Sequence, residues 1–173
     1  RQALVEIGQD KRIRLTNKGF QGAEDIARRH RLAEWMVVKL LGMELYQAHS
    51  EAHRLEHGMS PELEEKLVQR LDYPTVSPFG RPIPGSGAPK TPLNSVSLNL
   101  AATGVTHVVT RVPEEDVELL QFLVHASIVP GCEITVLKAI PYLGVLQVST
   151  DQDGMSIGYN VAQQILVRRS SEA

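Results

Sequence analysis

Apolar and polar side chains alternate in two short stretches at the start of the chain. Residues 4–7 and 12–15 follow this pattern, and the polar, glycine-containing residues 8–11 separate them. Alternation with a period of two on either side of such a turn is typical of a β-hairpin. Two strands alone are marginally stable in water, so we expect another part of the protein to cover their apolar face.

Apolar positions next recur at helical spacing from residue 18 to residue 41. Thr16 or Asn17 can cap the start of this helix, and Gly42 suits its end. A hairpin that leads into a helix, in a chain without an initial methionine, predicts that the sequence begins partway through a larger unit.

A further helix is predicted to begin at Ser60, because serine is a good N-cap and Pro61 suits the first helical position. Its residues Leu63, Leu67 and Leu71 then share one face. A segment of three helices of this length cannot easily bury that apolar stripe. The stripe therefore predicts a contact with a partner.

Prolines and glycines crowd the following stretch, and they predict an irregular interdomain linker at residues 76–98. Beyond it, short stretches rich in Val, Ile and Thr are bounded by turn residues. Predicted strands cover residues 106–112, 133–138, 144–149 and 165–168, and a predicted helix covers residues 114–126. Short strands at this spacing indicate a small, partly open β-barrel, so the predicted fold class is α+β.

Composition narrows the functional classes. The formal net charge of −2 gives this chain no basic surface for nucleic acid by itself. No apolar run approaches the roughly 20 residues that span a bilayer, and the chain does not open on a secretory signal. The single cysteine, Cys132, excludes an internal disulfide and fits a reducing compartment. We therefore expect a cytoplasmic protein with no membrane segment.

Three histidines and a glutamate carry the clearest chemistry. His49, His53, Glu56 and His57 are spaced at i, i+4, i+7 and i+8, which places them along one stripe of an α-helix. Imidazole and carboxylate groups are ligands for divalent first-row metals. A lone histidine is usually an ordinary surface or core residue, but four such side chains on one stripe predict a metal site.

Two similar residues, His30 and Glu34, lie four apart on the preceding helix. Alone, such a pair is as often solvated as it is a metal site. Beside a second ligand-bearing helix, the pair favours metal binding.

Three ordered motifs extend these two sets of residues. They are residues 29–34 (RHRLAE), 49–60 (HSEAHRLEHGMS) and 77–84 (SPFGRPIP). Together they resemble the diphtheria-toxin-repressor family of iron- or manganese-dependent transcriptional repressors. The resemblance covers essentially the whole chain and implies a wing remnant of a winged-helix DNA-binding domain at residues 1–17, a helical metal-binding and dimerisation domain at 18–75, and an SH3-like, FeoA-type domain at 99–173. It places the family's recognition helix upstream of residue 1.

The resemblance also divides the candidate ligands between two sites. His30, Glu34 and His49 match the family's ancillary site, which takes a further ligand from the SH3-like domain. Asp116 falls where that ligand is expected, and Glu115 or Glu118 takes its place if the alignment shifts.

His53, Glu56 and His57 match the family's regulatory site, which a residue of the first DNA-binding helix completes. Cysteine or glutamate is usual at the position of His53, and that choice accompanies a preference for iron or manganese. Histidine suits several metals. The implied cofactor is Mn²⁺ or Fe²⁺, with Zn²⁺, Co²⁺ or Ni²⁺ as substitutes in vitro.

The resemblance implies a homodimeric repressor, not an enzyme, in which metal binding favours the arrangement that binds operator DNA. The dimer contact is expected on residues 60–72, alongside Trp35 and Met36. Two alternatives stay open. Residues 53–57 match the H-x-x-E-H pattern of inverted zinc proteases, although only three positions of that pattern are fixed. The other alternative is a metal-binding protein with no DNA role.

Overall fold

The structure, a computed structural model, describes residues 3–8, 10–89, 94–151 and 154–170. A short hairpin and three helices form the N-terminal half. These elements are β1 (Val5–Ile7), β2 (Ile13–Leu15), α1 (Asn17–Trp35), α2 (Leu45–Leu55) and α3 (Pro61–Arg70). β1 and β2 pair antiparallel, as the alternating pattern predicts, and all of their residues are exposed.

The helices α1 and α3 begin at predicted caps. The hydroxyls of Thr16 and Ser60 each accept a hydrogen bond from a backbone amide in the first turn of α1 and α3, respectively. α1 continues into one π-helical turn, Met36–Leu40, and Gly42 then adopts a φ of +68°. The helix predicted for residues 18–41 therefore exists, but its last part is wound more loosely than an α-helix.

The three helices share a small apolar core. Its buried members are Leu32, Ala33, Ala52, Met59, Leu67, Leu71 and Ile83. Two leucines of the predicted stripe on α3, Leu67 and Leu71, thus face the chain's own core, and only Leu63 is exposed. The partner contact predicted for this helix is therefore limited to exposed side chains such as Leu63, because Leu67 and Leu71 pack within the chain's own core.

The C-terminal half is built on one antiparallel sheet, which has six strands within the described residues. Its elements are β3 (Ser95–Ser97), β4 (Thr106–Arg111), α4 (Val117–His125), β5 (Glu133–Ile140), β6 (Val145–Ser149), β7 (Gly154–Gly158), α5 (Tyr159–Ala162) and β8 (Leu166–Arg169). The strand order is β3-β8-β4-β5-β6-β7. All four predicted strands and the predicted helix are present. The sequence did not predict β3 and β7, which are short and rich in serine or glycine.

Two features of the packing correct the prediction of an interdomain linker at residues 76–98. Phe79 is fully buried in the core of the sheet domain, and Ile83 is buried in the core of the helices. Ser95–Ser97 form a strand of the sheet, so the sheet domain begins before residue 99. The prolines do keep the segment irregular, but its apolar side chains anchor it to both domains.

Side chains of α1 hold this proline-rich segment in place. Arg28, Arg31 and Trp35 each donate a hydrogen bond to a backbone carbonyl of residues 76–84. Their spacing of three and four residues puts them on one face of α1. The segment therefore fixes the end of β4 near α1, where two of the candidate ligands lie. Within the described ranges, no helix combines the length and apolarity that a bilayer crossing requires.

Candidate metal centre

The four residues of the predicted stripe do not stay on one α-helix. α2 ends at Leu55, and a 3₁₀ turn, Glu56–Gly58, follows it. Because a 3₁₀ turn is tighter than an α-helix, the Glu56 side chain turns inward and is 6% exposed, whereas those of His53 and His57 are 58% and 73% exposed. The single straight stripe is therefore wrong in its last turn.

His30, Glu34 and His49 meet between α1 and α2. The Glu34 Oε1 atom lies 2.9 Å from His30 Nε2 and 3.3 Å from His49 Nδ1. The two ring nitrogens are themselves 3.0 Å apart. Glu34 is fully buried, and its other carboxylate oxygen, Oε2, has no hydrogen-bond partner. The three side chains thus bring one possible ligand atom each to a shared point.

A fourth side chain reaches this point from the sheet domain. Glu114, between β4 and α4, has a carboxylate oxygen that lies, with ligand atoms of Glu34 and His49, in a group whose members are all within 4.8 Å of one another. Its Oε1 pairs with Arg81 Nε at 2.7 Å, and its Oε2 is buried with no hydrogen-bond partner. Two buried carboxylate oxygens without donors make a site that a divalent cation fits, since burying such groups unpaired is costly.

Asp116, the ligand expected from the sheet domain, lies elsewhere. Its carboxylate accepts a hydrogen bond from the Leu119 amide at 3.0 Å and so caps the N-terminus of α4. Asp116, Glu115 and Glu118 are all exposed. The helix begins directly after Asp116, so this side chain is used for capping. Glu114, two positions earlier, is the residue that faces α1. A sequence signal was available, because aspartate before an apolar helical run is a preferred N-cap.

Glu56 connects the two predicted sites. Its Oε2 lies 2.6 Å from His30 Nδ1, and its Oε1 lies 3.4 Å from His53 Nδ1 and 3.3 Å from His57 Nε2. One buried carboxylate therefore contacts a histidine of the ancillary set and both histidines of the regulatory set. The family resemblance implies a place for Glu56 in the regulatory site alone, and its contact with His30 is an addition from the structure.

The charges of the cluster shift two pKa values in opposite directions. Burial lowers the pKa of His30, but hydrogen bonds and charge interactions with Glu34 and Glu56 outweigh it and leave that pKa above its ordinary value. Burial raises the pKa of Glu34, but hydrogen bonds from His30 and His49 outweigh it and leave that pKa below its ordinary value. Glu34 is thus held ionised, which is the form that binds cations.

Arginines surround the outer side of Glu114. Burial lowers the pKa of Arg31 and of Arg111, and the charge of Arg81 lowers both further, while the charge of Glu114 opposes the shift. The carboxylate of Glu114 therefore lies between guanidinium groups on one side and the candidate metal ligands on the other.

Known proteins share both halves of this architecture. A family model described as the iron dependent repressor, metal binding and dimerisation domain matches residues 16–85, and the FeoA domain model matches residues 96–169. The iron-dependent repressor IdeR of Mycobacterium tuberculosis is 33% identical over 181 residues, which cover 98% of this chain and 78% of that protein. The chain belongs to the iron-dependent repressor family.

Other members of the family agree with this assignment. The diphtheria toxin repressor of Corynebacterium glutamicum is 33% identical over 148 residues, covering 80% of this chain and 65% of that protein. Among solved structures, a manganese-dependent transcriptional repressor in complex with manganese superposes with a TM-score of 0.81 at 30% identity, covering 91% of this chain and 76% of that one. The family consists of transcriptional repressors, and it gives no support to the protease interpretation of residues 53–57.

Proposed function

We propose that this chain is a metal-dependent transcriptional repressor, acting in the cytoplasm as a homodimer on operator DNA that controls metal homeostasis. The convergence of Glu34, His49 and Glu114, from two domains, carries the proposal. Each of the two glutamates has a buried oxygen without a donor. Membership of the iron-dependent repressor family supports the same function.

His30, Glu34, His49 and Glu114 would form the ancillary site. A divalent ion bound there supplies the positive charge that two buried carboxylates require. Glu114 Oε1 is already oriented by Arg81, which leaves Oε2 to face the site. Glu114 belongs to the sheet domain and the other three ligands to α1 and α2, so these residues would hold the two domains in one arrangement. Carboxylates with imidazoles suit Mn²⁺ or Fe²⁺.

His53, Glu56 and His57 would form the regulatory site, completed by a ligand of the DNA-binding domain as the family resemblance implies. Glu56 also hydrogen-bonds to His30 at 2.6 Å. Its other oxygen, Oε1, faces His53 and His57, so one carboxylate touches ligands of both proposed sites. We infer that the occupancy of one site changes the affinity of the other through this carboxylate.

Dimerisation would use apolar side chains that the chain's own cores leave uncovered. The leucines among them in the helical domain are Leu40, Leu41, Leu55 and Leu63. A dimer supplies the two-fold symmetry that a palindromic operator requires. Metal would then favour repression by binding more tightly to the dimer arrangement that fits DNA.

The test is DNA binding by the full-length protein, measured by fluorescence anisotropy on fragments selected from a random DNA pool. We expect Mn²⁺ or Fe²⁺ to tighten binding at least about 10-fold over the same protein in chelator, the usual size of an allosteric effect. The nearly isosteric Glu34→Gln variant should lose most of this response. Equal DNA affinity with metal and with chelator would overturn the proposal.

A further inference from the structure

A pocket of about 460 Å³ lies between the first half of α1 and the proline-rich segment. One wall is a stripe of α1 that runs at helical spacing from Phe20 to Arg31, and residues 82–85 form the opposite wall. With a rise of about 1.5 Å per residue, the stripe is about 16 Å long. None of the candidate metal ligands lines this pocket. Its size is in the range of pockets that hold small molecules.

Most of the length of the pocket is apolar. Ala23 and Ala27 occupy successive turns of the stripe, and their short side chains leave a groove beside the helix. Ile83 and Pro84 line it from the proline-rich segment. Phe20, near the start of α1, lines the outer end and is 48% exposed. A long apolar groove of this kind suits an unbranched hydrocarbon chain, which gains free energy by leaving water.

Positive charge is concentrated at the other end of the pocket. Arg31, Arg81 and Arg111 all line it, and each guanidinium stays charged at any ordinary pH. Glu114 pairs with Arg81 at 2.7 Å, so three positive charges face one carboxylate there. Glu24 also lines the pocket, but it is exposed and lies two helical turns from Arg31. The excess of positive charge at this end favours an anionic group.

We propose that this pocket binds a medium-chain aliphatic carboxylate, with its carboxylate on Arg31 and Arg111 and its chain along Ala27 and Ala23. Guanidinium groups bind carboxylates through paired, charge-assisted hydrogen bonds. The apolar walls distinguish such a ligand from an inorganic anion, which has no chain to bury. The site goes beyond the function proposed above and requires neither metal nor DNA.

The test is calorimetric titration of the full-length protein, in chelator, with carboxylates from hexanoate to decanoate. Each CH₂ group that leaves water should tighten binding by up to about 4-fold, so decanoate should bind at least about 10-fold more tightly than hexanoate. Inorganic phosphate has charge without a chain and should bind more weakly than decanoate. Equal affinities for hexanoate and decanoate, or for phosphate and decanoate, would overturn the proposal.

Two leucine substitutions on α1 test the position of the chain. Ala27→Leu fills the groove with a side chain that helices accept, and it should weaken decanoate binding at least about 10-fold. Gly22→Leu is the matched control, because it places the same side chain on α1 where there is open space outside the pocket. It should leave decanoate binding unchanged. Circular dichroism checks that both variants fold, and equal effects of the two on binding would contradict the proposal.

Arg111→Gln tests the position of the carboxylate. It should weaken decanoate binding at least about 10-fold, because a hydrogen bond between charged groups is lost. Decanol has the chain without the charge, so its weaker binding should be the same in this variant as in the unaltered protein. Unchanged decanoate binding, or an equal loss for decanol and decanoate, would show that this end of the pocket does not bind the carboxylate. Failure of the proposed function would appear differently, as DNA binding that does not respond to Mn²⁺ or Fe²⁺.

Discussion

At the scale of single residues, two acidic side chains two positions apart have different tasks. Asp116 caps α4 by accepting a hydrogen bond from the Leu119 amide, while Glu114 points towards α1 and pairs with Arg81. The cap uses Asp116 fully and leaves it exposed at the helix end. The ancillary ligand of the sheet domain is therefore proposed to be Glu114.

Substitution of these two residues should separate their tasks. We expect Glu114→Gln to weaken Mn²⁺ binding at the ancillary site by at least about 10-fold, because a ligand contributes no less than an outer partner does. Asp116→Asn is the matched control, since asparagine is an equally good N-cap and should leave both affinity and stability unchanged. Calorimetric titration with Mn²⁺ measures the affinity of each variant, and thermal unfolding measures its stability. A larger loss in Asp116→Asn than in Glu114→Gln would assign the ancillary ligand of the sheet domain to Asp116.

The pair of Glu34 and His30 should make stability depend on pH when a chelator removes metal. The pKa of Glu34 lies below its ordinary value of 4.5, so its contribution is lost as the pH falls through the folded-state pKa. The pKa of His30 lies above its ordinary value of 6.5, so its contribution is lost as the pH rises through the folded-state pKa. The contribution of this pair should therefore be greatest between about pH 4.5 and 6.5.

Thermal unfolding in chelator across this range checks the sign. The Tm should fall as the pH rises from about 6 to about 8, and His30→Gln should show a smaller decline, because the group that titrates is gone. An identical decline in the variant would assign the effect to other residues.

At the scale of elements, the proline-rich segment is the joint between the helices and the sheet. The Val112 amide donates to the Phe79 carbonyl at 3.1 Å, which brings the segment against the end of β4. Gly80 follows with a φ of +84°, and a methyl group added there would lie 1.8 Å from the Thr110 carbonyl oxygen. The close approach of two backbones at this point requires glycine.

We expect Gly80→Ala to cost more than about 3 kcal/mol of unfolding free energy, because it adds a backbone clash to an unfavourable φ. Gly87→Ala is the control, since Gly87 has a φ of +80° but open space around it, and its cost should be about 1 kcal/mol. Denaturant titration measures both costs. Equal costs would mean that the contact with β4 is not tight.

At the scale of the whole molecule, the apolar side chains of the helical domain fall into two groups. One group is buried in the chain's own core, and the other is exposed and forms a candidate dimer surface. Leu67 and Leu71 are buried within the chain, while Leu63 of the same helix is exposed. The family model that matches residues 16–85 is described as a dimerisation domain. Leu63 is therefore a suitable position at which to test association.

Leu63→Lys should weaken dimerisation by at least about 10-fold, because it places a charge in an apolar contact. Leu143→Lys, at a leucine of the sheet domain that is even more exposed, should leave the dimer unchanged. Sedimentation equilibrium measures the dissociation constant of each variant. A dimer that survives Leu63→Lys but not Leu143→Lys would move the interface to the sheet domain.

Local features of this protein could be predicted because they depend on neighbouring residues. Thr16 and Ser60 cap helices wherever the chain places them, and alternation alone identifies the hairpin. The candidate ligands could be found for the same reason, since His30 and Glu34 are brought together by the spacing of one helix. The sequence by itself thus determined the elements and six of the seven residues in the predicted metal-ligand set that gather at the centre.

Only the tertiary structure decided how these residues combine. Glu56 meets His30 across 26 positions of sequence because α2 ends in a 3₁₀ turn against α1. Glu114 reaches the same centre because Phe79 and Ile83 anchor the proline-rich segment in two cores. Contacts between distant segments follow from the packing of those cores, and a local pattern of apolar and polar residues contains no record of that packing.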